Sequence, residues 1–182
     1  LLCMALYVGN SLAYSKVFKH VVLVDVLSIA FGFVLRLLAG IYVLKVPATS
    51  WIVLCTFFLA LFLGFAKRRA ELHGSPNEAT PQRPVLSRYS VGYLDMLVNS
   101  AATMAIMSYA LFIVAEEPHR ALVVTIPTVY YAIMHYKRLV MIQELGEEPE
   151  KILLKEGRIP LCILLWVLIY VAVEYWDLRL FL

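Results

Sequence analysis

Charged residues and cysteines are both scarce in this chain. Cys3, Cys55 and Cys162 lie inside apolar stretches with no CxxC spacing, a pattern typical of packing residues and not of a zinc site. The sequence also lacks GxSxG, GxGxxG, P-loop and HExxH patterns. It therefore gives no support to nucleophile-elbow hydrolases, dinucleotide-binding proteins, P-loop enzymes or zinc proteases.

Long apolar runs dominate what is present. Hydrophobic residues make up 62% of the 182 residues and the mean hydropathy is +0.81, above the roughly 45–50% apolar content of soluble domains. A membrane-spanning helix needs about 20 apolar residues. The sequence predicts an all-α bundle of transmembrane helices in one domain, 1–182, with helices at 1–13, 21–44, 50–66, 91–115, 121–141 and 159–177.

The first thirteen residues, LLCMALYVGNSLA, are apolar, with no start Met and no basic leader. They resemble the end of a helix that begins upstream. The chain is therefore expected to be the C-terminal part of a longer polytopic protein, with part of any active site outside it.

Positive charge marks one side of the predicted bundle. Twelve of the sixteen Lys and Arg residues fall within 16–19, 67–88 and 137–158, whereas the connections near 45–50 and 116–120 hold one each. The positive-inside bias places the three basic segments in the cytoplasm. Two of these include long polar loops, 67–90 and 142–158, the second with a predicted short amphipathic helix after Pro149. Loops of this length are often functional.

Two basic groups are candidates for the site. Tyr14 and Lys19 stand at the cytoplasmic entrance of the second helix, where an interfacial anchor is the alternative role. In the stretch FAKRRAELHG, Lys67, Arg68 and Arg69 directly follow the predicted apolar helix, and Glu71 stands four residues after Lys67. Arg binds phosphate in a bidentate manner, and a carboxylate shares Mg²⁺ with phosphate oxygens. The alternatives are a positive-inside helix end and a Lys67–Glu71 pair across one turn. The candidate phosphate-binding residues are Lys67, Arg68, Arg69, Arg83, Arg88 and Tyr89, with Glu71 the candidate metal ligand.

Two charges lie within the second predicted span. Asp25 and Arg36 are separated by about three helical turns, so they share a face but are about 16 Å apart. Each therefore needs another partner, since unpaired charges inside a membrane are costly. Asp25 is the stronger functional candidate because it lies on the side of Lys19 and the 67–90 loop. Asp95 is more typical of a helix-start stabiliser.

The stretches AYSKVFKHVVLVDVLSIAFGFVLRLLAG, FLALFLGFAKRRAEL and RPVLSRYSVGYLDMLV resemble the UbiA-type prenyltransferase superfamily. The greatest similarity is to its decaprenyl-phosphate phosphoribosyltransferase branch. The resemblance covers essentially the whole chain and implies the last six of nine helices. Its Tyr–Lys motif corresponds to Tyr14 and Lys19, five positions apart where many members have four. The second polar motif, Asp-rich in aromatic prenyltransferases, is the basic stretch from Lys67 to Glu71.

The resemblance implies transfer of a phosphoribosyl group from phosphoribosyl diphosphate to a polyprenyl phosphate, with Mg²⁺, at the cytoplasmic face of the plasma membrane, in cell-wall arabinan synthesis. It implies Asp25, Lys19 and Tyr14 as catalytic residues. The superfamily's first Asp-rich motif, expected to hold most of the Mg²⁺, is absent from this chain, so the chain alone should be catalytically incomplete. The alternatives are a prenyltransferase with an aromatic acceptor and a transporter or lipid carrier.

Overall fold

The computed structural model describes residues 2–45, 49–74, 84–115, 120–142 and 157–176, and within these ranges the chain is helical with no strand. The predicted all-α class is therefore confirmed. The described residues contain six α-helices: α1 (Leu2–Lys16), α2 (Val24–Leu44), α3 (Ser50–Gly74), α4 (Val91–Ala115), α5 (Ile126–Ile142) and α6 (Arg158–Trp176). Three 3₁₀ helices connect them: Phe18–His20, Pro84–Arg88 and Arg120–Thr125.

Among the helices of the described ranges, α2, α3 and α4 are long and apolar enough to cross a membrane. Large apolar side chains cover their outer faces, among them Phe31, Phe33 and Met104. In water such a surface would be unfavourable, whereas in lipid it is the expected exterior. The chain is therefore a membrane protein.

Helix α3 continues beyond the boundary that the sequence predicts. It was expected to end near residue 66, but it runs to Gly74. No Gly or Pro interrupts residues 65–73, and Lys, Arg, Ala, Glu and Leu are good helix formers. The stretch from Lys67 to Glu71 therefore lies on the last turns of a helix and not in a loop, which fixes the direction of each of its side chains.

The predicted helix at 121–141 begins later than expected. Residues Arg120–Thr125 form a 3₁₀ helix, and α5 starts at Ile126. Pro127 explains the shift, because a proline has no N–H to donate to the preceding turn and is tolerated only in the first turn of an α-helix. The predicted amphipathic helix after Pro149 lies outside the described residues.

Helix α3 is central, packing against α2 on one side and α4 on the other. Small residues such as Ala66, Ala102 and Ala105 are buried at these contacts and let the helices approach closely. Gly64 is the tightest point, because a Cβ there would come within 2.5 Å of Val26 Cγ1. Helices α5 and α6 pack together beside α4, and α1 packs on α2. This packing brings the start of α2 against the end of α3.

Candidate active site

The centre of the site is a buried ion pair between α2 and α3. Arg68 Nε donates to Oδ2 of Asp25 over 2.8 Å, and the side chains are 2% and 1% exposed. Asp25 is in the first turn of α2, and Arg68 is near the end of α3. A buried charge needs a close partner. Arg68 is the partner that the sequence required for Asp25 but did not name.

Glu71 adds a second carboxylate to the same guanidinium. Arg68 Nη1 donates to Glu71 Oε2 over 2.9 Å, across three positions of α3. The Glu71 side chain is 17% exposed, so this carboxylate is closer to the surface than Asp25. Two carboxylates and one guanidinium leave a net charge of about −1 on this cluster, which we call the Asp25 cluster (Asp25, Arg68 and Glu71).

Tyr89 completes the cluster from the connection before α4. Its phenol donates to Asp25 Oδ1 over 2.9 Å and accepts the backbone N–H of Leu23 over 2.7 Å. Leu23 has φ 69°, a backbone conformation that leucine rarely adopts, and it stands directly before α2. Burial raises the pKa of Tyr89 well above its usual range. Tyr89 is therefore a neutral donor at ordinary pH, and it holds Asp25 and the start of α2 in place.

Arg69 forms a second buried linkage on the other side of α3. Its Nε donates to Asp95 Oδ1 over 2.9 Å, while Nη1 and Nη2 donate to the carbonyls of Val140 and Met141 over 2.7 and 3.3 Å. These bonds join α3 to α4 and to the last turn of α5. All three guanidinium nitrogens of Arg69 are engaged, so the geometry favours a structural role over phosphate binding.

The remaining predicted residues differ in how exposed they are. Tyr14 is half-buried and close enough to Arg68 to interact with it electrostatically. Lys19 is exposed in the Phe18–His20 helix, Lys67 is half-buried and Arg88 is exposed. The Phe18–His20 and Pro84–Arg88 helices contact each other, which brings Lys19 and Arg88 to the same end of the bundle. Arg83 lies outside the described residues.

An apolar cavity of about 380 Å³ lies among α3, α4, α5 and α6. Phe62, Ile133, Ile163 and Trp166 are among its lining residues. Its wall is almost entirely hydrocarbon and aromatic, so it suits an alkyl or isoprenoid chain and not a charged group. Periodicity in the sequence did not reveal it, because an apolar residue facing a cavity looks the same as one facing a neighbouring helix.

The described side chains near the Asp25 cluster include few possible ligands for a Mg²⁺ ion. Across the described ranges, no three His, Cys, Asp or Glu side chains come close enough together to enclose a metal ion. Mg²⁺ often uses only one or two protein carboxylates together with phosphate oxygens and water. Glu71, the more exposed carboxylate of the cluster, fits such a partial site.

These features define a class: an all-α membrane protein with a buried ionic cluster and surface cations at one end of its helices, and an apolar cavity within the bundle. No family model matches the sequence. Curated proteins with similar sequences include three decaprenyl-phosphate phosphoribosyltransferases.

The relative from Mycobacterium tuberculosis is 27% identical over 167 residues, which cover 91% of this chain and 55% of the relative. The relative from Mycolicibacterium smegmatis is 27% identical over 175 residues, covering 90% and 55%. That from Corynebacterium glutamicum is 32% identical over 106 residues, covering 58% and 32%. The predicted resemblance is confirmed, and the chain spans about half the length of the first two relatives.

Proposed function

We propose that this chain is part of a UbiA-type membrane transferase that moves a 5-phosphoribosyl group from phosphoribosyl diphosphate to a polyprenyl phosphate such as decaprenyl phosphate. The observation that carries the proposal is the Asp25 cluster, with Lys19, Lys67 and Arg88 at the same end of the bundle, in a chain similar to decaprenyl-phosphate phosphoribosyltransferases over most of its length. The resemblance adds a place in the synthesis of cell-wall arabinan precursors.

The surface cations are suited to the donor's phosphates. Lys19 and Arg88 are exposed and Lys67 is half-buried, so their charged groups are nearer to solvent than that of Arg68. In the reaction, a phosphate oxygen of the lipid bonds to C1 of the ribose while the C1–O bond to diphosphate breaks. Cations beside the leaving diphosphate stabilise the charge that develops on it. The step requires no covalent enzyme intermediate.

The buried groups have a positioning role. Asp25 accepts hydrogen bonds from Arg68 and Tyr89 and is 1% exposed. It therefore acts by orienting Arg68, which in turn orients Glu71. Tyr14, half-buried near Arg68, is placed to contact substrate at the inner edge of the cluster. This assignment shifts Asp25 from a catalytic residue to a positioning residue, while Lys19 and Tyr14 keep the catalytic roles that the resemblance implies.

Glu71 would supply one carboxylate to Mg²⁺. When bound, the metal would neutralise charge on the diphosphate. Most of the protein ligands of Mg²⁺ would come from the Asp-rich motif that the resemblance places outside this chain.

The apolar cavity is proposed as the binding site for the tail of the acceptor lipid. A polyprenyl phosphate has an anionic head and a long apolar tail, and the cavity offers about 380 Å³ of hydrocarbon-lined space for the first isoprene units. Its phosphate would then meet the donor at the end of the bundle where the cations lie. The positive-inside bias supports a cytoplasmic location for that end of the bundle. The membrane in question would be the plasma membrane.

The test uses the full-length protein with both substrates. Lys67→Ala should raise the KM for phosphoribosyl diphosphate about 10- to 150-fold, the loss expected for one charge-assisted contact. The KM for polyprenyl phosphate should change little. Lys45→Ala, which removes one charge at the other end of α2, is the matched control. Transfer of a prenyl group to an aromatic acceptor by the wild type, or no transfer at all, would overturn the proposal.

A further inference from the structure

A polar recess of about 140 Å³ lies between α1 and α2, and its α2 residues, from Ser28 to Arg36, lie further along that helix than Asp25. Polar residues recur every three or four positions on the facing sides of both helices, so they form two aligned stripes. The residues that matter here are Tyr7, Asn10, Tyr14, Ser28, Gly32 and Arg36. The sequence singled out Arg36, and the proposed reaction leaves it without a role.

Arg36 stands at the inner end of the recess, about 16 Å along α2 from Asp25. Its guanidinium lies over the rings of Phe33 and Tyr7, at 4.2 and 5.5 Å from their centroids. Nε makes a long hydrogen bond of 3.4 Å to the carbonyl of Gly32. Within the part of the chain that the structure describes, no carboxylate pairs with Arg36. A cation at this depth requires an anion or water.

The walls of the recess are preformed. Asn10 Nδ2 donates to the Ser28 carbonyl, and Ser28 Oγ donates to Asn10 Oδ1, each over 2.9 Å. This reciprocal pair fixes the spacing of α1 and α2. Gly32 leaves space in the recess that a Cβ would occupy, at 3.6 Å from both Asn10 and Tyr7. Tyr14 lines the recess and lies near Arg68, so the recess adjoins the Asp25 cluster.

We infer that this recess is a phosphate-binding subsite in which Arg36 donates to the oxygens of a single phosphate group. Its volume equals that of about four or five water molecules, enough for one phosphate. Arg binds phosphate through a planar pair of donors, and its Nη atoms make no hydrogen bond to another described residue.

The inference rests on the proposed function for the identity of the ligand. Two phosphates are available there: the 5-phosphate of phosphoribosyl diphosphate and the phosphate of the polyprenyl lipid. Both present the same chemistry to Arg36, so the experiment must distinguish them.

The experiment measures binding of each substrate separately to the full-length protein in lipid nanodiscs, without turnover. Arg36→Gln should weaken the binding of one substrate about 10- to 150-fold and leave the other within about twofold. The affected substrate identifies the source of the phosphate. Arg36→Lys, which keeps the charge, should restore part of the loss. Lys45→Gln removes a charge from the end of the same helix and should bind both substrates as the wild type does.

A second variant covers the case in which Arg36→Gln does not fold. Gly32→Ala adds one methyl group to the recess at ordinary van der Waals distances and keeps Arg36. It should weaken the same substrate selectively.

Three results would overturn the subsite: unchanged binding in both recess variants, equal weakening of both substrates with a lower ligand-free melting temperature, or no binding of either substrate by the wild type. Selective binding loss in a protein that transfers nothing would retain the subsite and remove the proposed function. Normal transfer activity with no selective loss of substrate binding would remove the subsite and retain the proposed function.

Discussion

The phenolic O–H of Tyr89 donates a hydrogen bond to Oδ1 of Asp25 over 2.9 Å, although the two residues are 64 positions apart. The phenolic oxygen of Tyr89 in turn accepts the backbone N–H of Leu23, the residue of positive φ that directly precedes α2. One side chain thus stabilises both a buried carboxylate and an unfavourable backbone conformation. Strained backbone persists where its surroundings fix it, and such places cluster at functional sites.

Tyr89→Phe should destabilise the protein without altering the shape of the ring. It would leave Asp25 Oδ1 and the Leu23 N–H each without this partner, at about 1–3 kcal/mol for each buried group. Thermal unfolding in detergent measures the loss. Tyr93→Phe is the control, because Tyr93 stacks on Tyr89 but is partly exposed. Equal melting temperatures for both variants would contradict this role of Tyr89.

The stability that Tyr89 contributes should depend on pH. Burial raises its pKa in the folded state, so the folded protein holds the phenolic proton more tightly than the unfolded chain. The contribution is therefore fully present below the ordinary tyrosine pKa of about 10 and is lost as the pH rises above that value. The stability difference between wild type and Tyr89→Phe should narrow above about pH 10. A difference that stays constant or widens would count against a raised pKa.

Asp25→Asn should be among the most destabilising substitutions in α2. It keeps the shape of the side chain but leaves Arg68 buried beside only one carboxylate, and breaking a buried pair costs about 3–5 kcal/mol. The double variant Asp25→Asn with Arg68→Gln should cost less than the sum of the single variants. Lys19→Gln, an exposed change, should stay within about 0.5 kcal/mol of the wild type. Additive single and double variants would show that the pair is not coupled.

Glu71→Gln distinguishes a metal ligand from a partner of Arg68 alone. If Glu71 helps to hold Mg²⁺, the variant of the full-length protein should need more Mg²⁺ for half-maximal activity. If its role is confined to the Arg68 pair, the variant should lose stability but keep the same Mg²⁺ dependence. Titration of both proteins with Mg²⁺ decides, and superimposable curves would remove Glu71 from the metal site.

Arg69→Gln should reduce stability more than Asp95→Asn. The first change affects three hydrogen bonds, two of them to the end of α5, whereas the second affects one bond to a side chain that is 36% exposed. Exposed pairs contribute about 0–1 kcal/mol, and bonds to a buried charge about 1.5–3. Melting temperatures give the comparison. A raised KM for phosphoribosyl diphosphate with an unchanged melting temperature would instead make Arg69 a phosphate ligand.

Sequence reasoning predicted the all-α class and the bounds of α4, because long apolar runs leave few alternatives in a membrane. It also recognised that Asp25 and Arg36 need separate partners. It could not name those partners, because pairing between helices depends on their rotation and depth, which hydropathy does not determine. It placed Arg68 and Arg69 together as phosphate ligands, since adjacent cations look equivalent in a sequence. No pattern in the sequence indicated the positive φ of Leu23.

Adjacent positions on an α-helix point about 100° apart. Arg68 and Arg69 use this angle to face different neighbours, one towards α2 and the other towards α4 and α5. Together the two ion pairs fix both the rotation and the axial position of α3. If α3 turned about its axis or slid along it, at least one guanidinium would move away from its carboxylate. A one-residue insertion just before Lys67 would put both out of phase at once, even though every side chain of the cluster would still be present.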